Sequence, residues 1–554
     1  MAEFAFRGYE IHSTRMWQQS QIDMALDFMV RHGLNALILH QNDLQDDVSF
    51  PDKYFDNDVL WERWPVRRQG TLYRREYMSE VIRKAASLGI KVYFEIKEIY
   101  FCDHIFEQVP GLLNPDGTTC PTNPFWMEFV EEKMRDLFAK LPGLGGIIVS
   151  LGTRESMISM AANRCTCERC KQKDPFDWYS DVLRAMYGPI SEAGGELIVR
   201  DFSYTRDHQN MMIDACMRVS DKIIVSLKCQ PHDYFPTFPI NPEIGRSTLR
   251  EYVEVDVWGQ FAGMGVIPSS LVEQVHDWLR ELKRREADGV WFRTDWELMN
   301  EASVHNSLCL VNLYAGAMFA NDLNTPDETV YKTWAAEGLM NPMKIGSYIQ
   351  TPVKAENPDA WKNFAAFTRQ CWKVYEKAGY IRGLQYLESD QPPVTLSKVF
   401  DIMVNIFNRE EWVPGSSAAV AATEENMPGI FAEKDEGVEE AEKLEALLDV
   451  DSLGLPEDYC QDLKNLIETI KLFARFCRAV TISSYYTQYA LDHGKKTERA
   501  RESLALLDES EAEIRKTLEN VFYPYYIHAR LQPRRLREYK QHLSGLLDEV
   551  EARA

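Results

Sequence analysis

No run of eighteen or more apolar residues occurs in the sequence, so nothing in it reads as a membrane span. Its start, MAEFAFRGYE, has neither a basic opening nor a long apolar stretch. The chain as given therefore carries no secretory signal, and a cytoplasmic protein is expected. Positive charge is scarce: 62 lysines and arginines stand against 85 acidic residues, a formal net charge of −23. That balance excludes nucleic acid and anionic membranes as general partners. It does not exclude an anionic small substrate, because a pocket can be locally basic inside an acidic protein. Several catalytic signatures are missing too, namely GxGxxG after the first strand, a Walker motif, a GxSxG elbow and HExxH. The 11 cysteines are odd in number and scattered, which fits reduced thiols better than a disulfide framework.

What is present is an ordinary globular composition, 45% hydrophobic and 27% charged, over 554 residues, enough for two to four domains. Short apolar runs alternate with amphipathic stretches through the first ~330 residues. Strands are expected at Gly8–Ser13, Ala36–His40, Lys91–Ile96, Gly146–Leu151, Glu196–Phe202, Lys222–Lys228, Tyr252–Val257 and Gly289–Arg293. Helical periodicity marks Ile22–Arg31, Met78–Leu88, Phe125–Leu141, Tyr179–Ala193 and Leu271–Ala287. Eight such units predict an α/β fold, a (β/α)8 TIM barrel over 1–334; a doubly wound sheet is the competing layout. After Trp334 the pattern turns helical, at Asp359–Ala378, Lys398–Phe407, Tyr459–Tyr489 and Glu498–Leu518. An all-α C-terminal domain is expected over 335–554, interrupted by a loop or insert from Pro414 to Gly437. The aromatic stretches SSYYTQY and FYPYYIH are expected to pack in its core or against the barrel.

Parallel strands all end on one face, so polar groups at their ends converge on one pocket. Glu155 closes GGIIVSLGTRES and suits a general acid; pairing with Arg154 or capping a helix is the structural alternative. Asp233 follows the sixth strand, and Glu254 and Asp256 alternate with apolar residues in YVEVDVWGQ, so both face inward. Two or three inward carboxylates are what glycosidic hydrolysis needs, and no cofactor is required for it. Arg200, Lys228 and Arg293 end three separate strands and suit a substrate carboxylate or phosphate, or balance of the pocket acids. His12, His40, Asn42 and Trp258 belong to the same set and are expected to contact substrate. Separately, RCTCERCKQ brings together Cys165, Cys167 and Cys170. A structural zinc, a reversible disulfide and plain thiols are all open; Cys120, Cys102 or a histidine would complete a zinc site.

These residues carry a family resemblance. GLNALILHQNDL, PTNPFWMEFVEEKMRDLFAKLPGLGGIIVSLGTRES, ELIVRDFSY, DKIIVSLKCQPHDYF and NLYAGAMFANDLNTPDETVYKTW, in that order, resemble the catalytic barrel of glycoside hydrolase family 67, the α-glucuronidases. The likeness is distant and spans roughly residues 6–340. It implies release of an α-linked glucuronic or related uronic acid from an oligosaccharide by inverting hydrolysis. Glu155 would be the general acid, Asp233 and either Asp256 or Glu254 the base candidates, and Arg200 and Lys228 the uronate ligands. A homodimer through the helical region is implied as well. The sequence departs from the family at Ser150, where a lysine is expected, at Thr153 and Arg154, and in DWELMNEASVHN after the eighth strand. No counterpart of the family's N-terminal domain precedes Arg7-Gly8-Tyr9, and the cysteine cluster is not part of its pattern. The other readings are a barrel glycosidase acting on a hexosamine or neutral sugar, and a non-catalytic carbohydrate-binding protein.

Overall fold

The computed structural model describes residues 2–55, 62–203, 205–297, 302–344, 351–406, 409–520 and 523–553. Eight parallel strands close into a barrel in sequence order, which rules out the open sheet. They are β1 (Phe6–Ile11), β2 (Ala36–His40), β3 (Lys91–Lys97), β4 (Gly146–Leu151), β5 (Glu196–Asp201), β6 (Ile224–Lys228), β7 (Glu251–Asp256) and β8 (Gly289–Arg293). Runs such as GIIVSL and IVSLK are buried at every position, because helices cover the outer face and packed side chains fill the inner one. Inside the barrel Phe6, Ile38, Tyr93, Ile148, Ile198, Ile224, Tyr252 and Trp291 form a separate apolar plug. Gly8 is needed there, since a Cβ would come within 2.5 Å of the Trp291 Cβ. The plug makes the lower barrel a packed core and confines any chemistry to the upper end.

Among the described residues, long helices wrap the barrel: α1 (Gln19–His32), α2 (Pro65–Ser87), α3 (Phe125–Lys140), α4 (Pro175–Glu192), α5 (Arg206–Val219), α6 (Val272–Arg284) and α7 (Leu310–Asn321). Local chemistry sets several starts. Asp174 accepts from the Phe176 amide ahead of Pro175, and Thr205 accepts from the His208 amide. Between β6 and β7, residues 229–250 contain no helix, in keeping with the lack of helical periodicity there.

The remainder is mostly helical, with one short antiparallel pair at Tyr380–Ile381 and Leu384–Gln385: α8 (Asp327–Glu337), α9 (Ala360–Gly379), α10 (Asn426–Glu442), α11 (Glu457–His493), α12 (Thr497–Asn520) and α13 (Pro533–Arg553). The expected boundary at 334/335 falls inside α8. One continuous apolar core runs from Phe4 in the barrel to Leu547 in α13. Most of the expected loop from Pro414 to Gly437 is structured, with residues 426–437 inside α10. Pro428 sits in the first turn, where no backbone donor is lost, and Gly437 lets α10 approach the Ala378 backbone. Tyr485, Tyr489 and Tyr523 are buried as packing predicts, whereas Tyr525 is exposed. The helical part meets the barrel near its upper loops: Tyr380 donates to the Phe261 carbonyl and Arg409 to the Thr237 carbonyl. Among the described residues no helix is long and apolar enough to cross a membrane.

Candidate active site

Above the apolar plug the inward positions become charged. Strand register sets Ser150 beside Arg200, Lys228 beside Glu254 and Arg293 beside Glu10. The result is a buried floor organised by Arg200, which is 2% exposed. Its guanidinium donates to both oxygens of Glu254 at 2.7 and 3.0 Å, to Ser150 Oγ at 3.2 Å and to Tyr234 Oη at 2.5 Å. It lies 3.2 Å from Glu95 as well. His40 continues the floor, with Nδ1 2.7 Å from Glu10 and Nε2 3.2 Å from Glu95.

Crowding carboxylates into a dry space opposes ionisation, and Glu10 and Glu95 show it. Burial, relieved in part by Arg200 and reinforced by the Glu254 charge, pushes Glu95 up to about 7. Burial and then the charge of Glu95 raise Glu10 well above the usual carboxylate range. The His12 and His40 rings stack at 3.5 Å, and burial together with the surrounding cations lowers both imidazoles. Glu10, His12 and His40 are close enough to share a metal ion. The cations pressing on both rings, and Arg293 donating to His12 Nδ1 at 3.0 Å, make that cluster a poor cation site.

The rim is different. Among the described residues three carboxylates there reach solvent, and each has a cation beside it. Glu155, 47% exposed, lies 3.0 Å from Lys97 Nζ. Asp233, 32% exposed, accepts from Lys228 Nζ at 2.9 Å. Glu297, 47% exposed, lies 3.3 Å from His12 Nε2 and 3.6 Å from Arg293. Partial burial, opposed by Arg293 and reinforced by the Glu155 charge, holds the Glu297 carboxyl above its usual range. Aromatic faces alternate with these cations. Lys97 and Lys228 sit over the Phe202 ring at 4.6 and 4.5 Å, and Lys228 and Arg293 over the Tyr234 ring at 4.9 and 5.1 Å.

The loops under the rim carry strain and buried acids that hold them. His232 and Tyr234, on either side of Asp233, have φ of 71° and 42°. Left-handed backbone at two non-glycine residues is costly and clusters at functional sites. Glycine is needed at 152 because φ is 72° and a Cβ would meet the His208 ring at 2.7 Å, and its amide donates to Glu98 at 2.8 Å. Burial pushes Glu98 up to about 8, so this acid anchors the Glu155 loop largely in its neutral form.

Several sequence expectations need correction. Glu254 is fully buried and clamped by Arg200 and Tyr234, so it cannot serve as a base that meets water. Asp256 spends its carboxylate on the amides of Trp258, Gly259 and Gln260, at 3.0, 3.2 and 2.6 Å; it caps a turn. Trp258 is fully buried in the core, where a Cβ at Gly265 would touch its ring nitrogen, so it offers no face to a sugar. Arg200 and His40 lie in the floor, bound to buried carboxylates. Lys228, Arg293 and His12 do reach the rim, while Asn42 is half-buried beside the end of β3. Glu10, Glu95 and Glu297 were missed. Glu10 with His12, and Glu95 with Lys97, repeat the period-two spacing that marked Glu254 and Asp256; Glu297 had no such signal. Part of the rewritten stretch after β8, residues 298–301, lies outside the described residues.

Away from the mouth, the cysteine cluster gains its fourth member. Cys120, from the loop before α3, joins Cys165, Cys167 and Cys170, with all four sulfurs within 4.8 Å of one another. Cys102 instead pairs with His104 at 2.6 Å.

The sequence matches no protein-family model and no curated protein. Among solved structures, a GH138 enzyme targeting pectin rhamnogalacturonan II superposes over 100% of this chain and 84% of its own, with a TM-score of 0.64 at 12% identity. A mutant O-GlcNAc hydrolase of Thermobaculum terrenum aligns over 100% of this chain and 96% of its own, at a TM-score of 0.42 and 13% identity. A Vibrio harveyi GH20 exo-β-N-acetylglucosaminidase aligns over 59% and 56%, at 0.39 and 13%. The last two fits are too loose to argue from. The first shows that this barrel with its helical partner is a fold that a glycoside hydrolase uses, and it does not single out the α-glucuronidases.

Proposed function

We propose that the chain is a glycoside hydrolase that removes an α-linked uronic acid, glucuronic acid or a close relative, from an oligosaccharide. The observation that carries this reading is the rim, with its solvent-reaching carboxylates interleaved with Lys97, Lys228 and Arg293. Glycosidic cleavage needs one carboxyl to protonate the leaving oxygen and another to activate water. Glu155 takes the first role and Asp233 the second. Glu297 is the rival acid, because its raised carboxyl holds a proton more readily near neutral pH. A uronate carboxylate entering the mouth would take over rim cations now shared with Glu155 and Asp233, which releases those acids for chemistry.

A specific observation favours a second reading. Arg200 is committed to Glu254, and Lys228 to Asp233, as expected if the cations only balance the acids and the sugar is neutral or a hexosamine. Hydrolysis assays on matched oligosaccharides ending in uronic, neutral and N-acetylated sugars separate the two. Rhamnogalacturonan II, the target of the GH138 enzyme, is a fitting complex substrate to include. Preference for the uronic member is expected; equal or better turnover of the neutral member would remove the acidic-sugar assignment. Glu155→Gln and Glu297→Gln identify the acid. The true acid loses turnover on poor leaving groups and keeps it on activated aryl glycosides. No loss in either variant would sink the general-acid assignment.

A further inference from the structure

The four cysteines stand apart from the proposed chemistry, and they come from two different loops. Cys120 belongs to the segment between β3 and α3, whereas Cys165, Cys167 and Cys170 belong to the segment between β4 and α4. Both segments are long and hold only short regular pieces, such as Ile105–Gln108 and Glu168–Gln172. Loops of that length seldom hold one shape without help. All four side chains are free thiols. Cys120 Sγ lies 3.5 Å from Cys170 Sγ and 3.7 Å from Cys167 Sγ. Sulfurs bound at about 2.3 Å to a tetrahedral zinc stand roughly 3.8 Å apart.

The surroundings suit a tetrathiolate. Thr122 Oγ1 lies 3.2 Å from Cys120 Sγ and 3.3 Å from Cys170 Sγ, and Asn114 Nδ2 donates to Cys165 Sγ at 3.6 Å. Such donors orient and stabilise coordinating sulfurs. Four thiolates around Zn²⁺ leave a net charge of −2. The stretch that supplies three of them carries Arg164, Arg169, Lys171 and Lys173 against Glu168 alone, a local excess of cations in a chain of net charge −23. The backbone is anchored as well: Trp126 and Trp178 donate to the carbonyls of Cys120 and Pro121, at 3.1 and 2.9 Å.

The geometry points to a structural Zn²⁺ held by Cys120, Cys165, Cys167 and Cys170 that clasps the loop after β3 to the loop after β4. With four protein ligands the ion has no open position, so it is a staple and not a reaction centre. The clasp has a consequence for the mouth. Glu155 lies on one clasped loop and its partner Lys97 ends the strand leading into the other. A groove of about 430 Å³ runs between the two loops, lined by Phe101, Phe106 and Pro121 from one and by Arg154, Ser156 and Met157 from the other. Arg154 and Ser156 flank Glu155, so the staple fixes the wall of the mouth on that side.

Elemental analysis and X-ray absorption on the full chain, purified under reducing conditions and given excess Zn²⁺ before desalting, test the ion directly. One zinc per chain with four sulfur neighbours at about 2.3 Å is expected. Less than about a tenth of an equivalent, or a shell of nitrogen and oxygen, would overturn the site. Cys120→Ser and Cys167→Ser should lose the ion while Cys460→Ser, in α11, keeps it; zinc retained in Cys120→Ser overturns the ligand set. The wild-type measurements stand even if those variants fold poorly. Limited proteolysis reads the clasp without any substrate. After chelation, cutting within 98–124 or 152–174 should speed up at least tenfold, with the rest of the chain still protected. Equal rates with and without zinc would overturn the clasp.

Discussion

The floor and the rim of the barrel mouth use the same vocabulary, glutamate, aspartate, lysine, arginine and histidine, and do opposite things with it. In the floor, Arg200, Glu254, Glu95, Glu10 and His40 are at most 2% exposed and bound to one another. On the rim, Glu155, Asp233 and Glu297 are 32–47% exposed, and each has one cation at hand. A buried charge is costly unless fully paired, so a floor residue is committed by its neighbours. A rim pair joins an exposed carboxylate to a cation that is itself only 2–5% exposed, so the pair is half screened, and a substrate entering from solvent can compete with the carboxylate for the cation. The contrast shows that charge at a strand end does not say which groups stay open to solvent; depth decides that.

The largest expected effect falls on the rim. Glu155→Gln should cut turnover of an unactivated glycoside on the order of 10²–10⁴-fold, while the amide oxygen can still accept from the buried Lys97 ammonium and urea denaturation shifts by about 1–3 kcal/mol. A collapse of stability in this variant would erase the distinction between rim and floor. The floor should give the mirror image. Arg200→Met strands Glu254 and Glu95, and a loss of about 3–5 kcal/mol in the same denaturation assay is expected. A variant as stable as the parent would mean that the floor is wetter than its burial indicates.

Depth should also show in pH dependence. Glu98, at about 8 in the folded chain against an ordinary 4.5, is most at home uncharged. Its contribution to stability is therefore complete below about pH 4.5 and is lost as pH rises through 8. Each unit of separation corresponds to roughly 1.4 kcal/mol. Glu98→Gln should flatten the stability profile between pH 5 and 8, measured by denaturation at each pH; an unchanged slope would remove Glu98 as its source. The smallest effect belongs to one rim cation. Lys228→Met should raise KM for a uronic substrate about tenfold, in line with roughly 1.5 kcal/mol for one charge-assisted bond. KM for a neutral analogue should stay unchanged, and an equal rise for both would assign Lys228 to Asp233 alone.

Much of this architecture is legible in the sequence because barrel strands are buried on both faces and stand out as apolar runs between amphipathic helices. All eight lie within two residues of their expected positions. The stretch 426–437 was misjudged because Pro428, Gly429 and Gly437 read as loop punctuation, whereas α10 tolerates a proline in its first turn and uses Gly437 for close packing. The site was half legible. Glu155, Asp233, Lys228 and Arg293 could be named from strand ends, but Trp258 and Asp256 at an equally promising strand end proved to be core and turn cap. Glu297 lies past β8, where no periodicity constrains a reading.

Periodicity and charge at strand ends are local properties, and the sequence by itself determined what depends on them: a barrel, a helical remainder and a charged mouth. Partnership across tens to hundreds of residues is not local. Only the tertiary structure decided that Arg200 is spent on Glu254, that Glu297 stands beside His12, and that Cys120 meets the cluster at Cys165, Cys167 and Cys170. Closure of the barrel sets those distances, and no single segment encodes them.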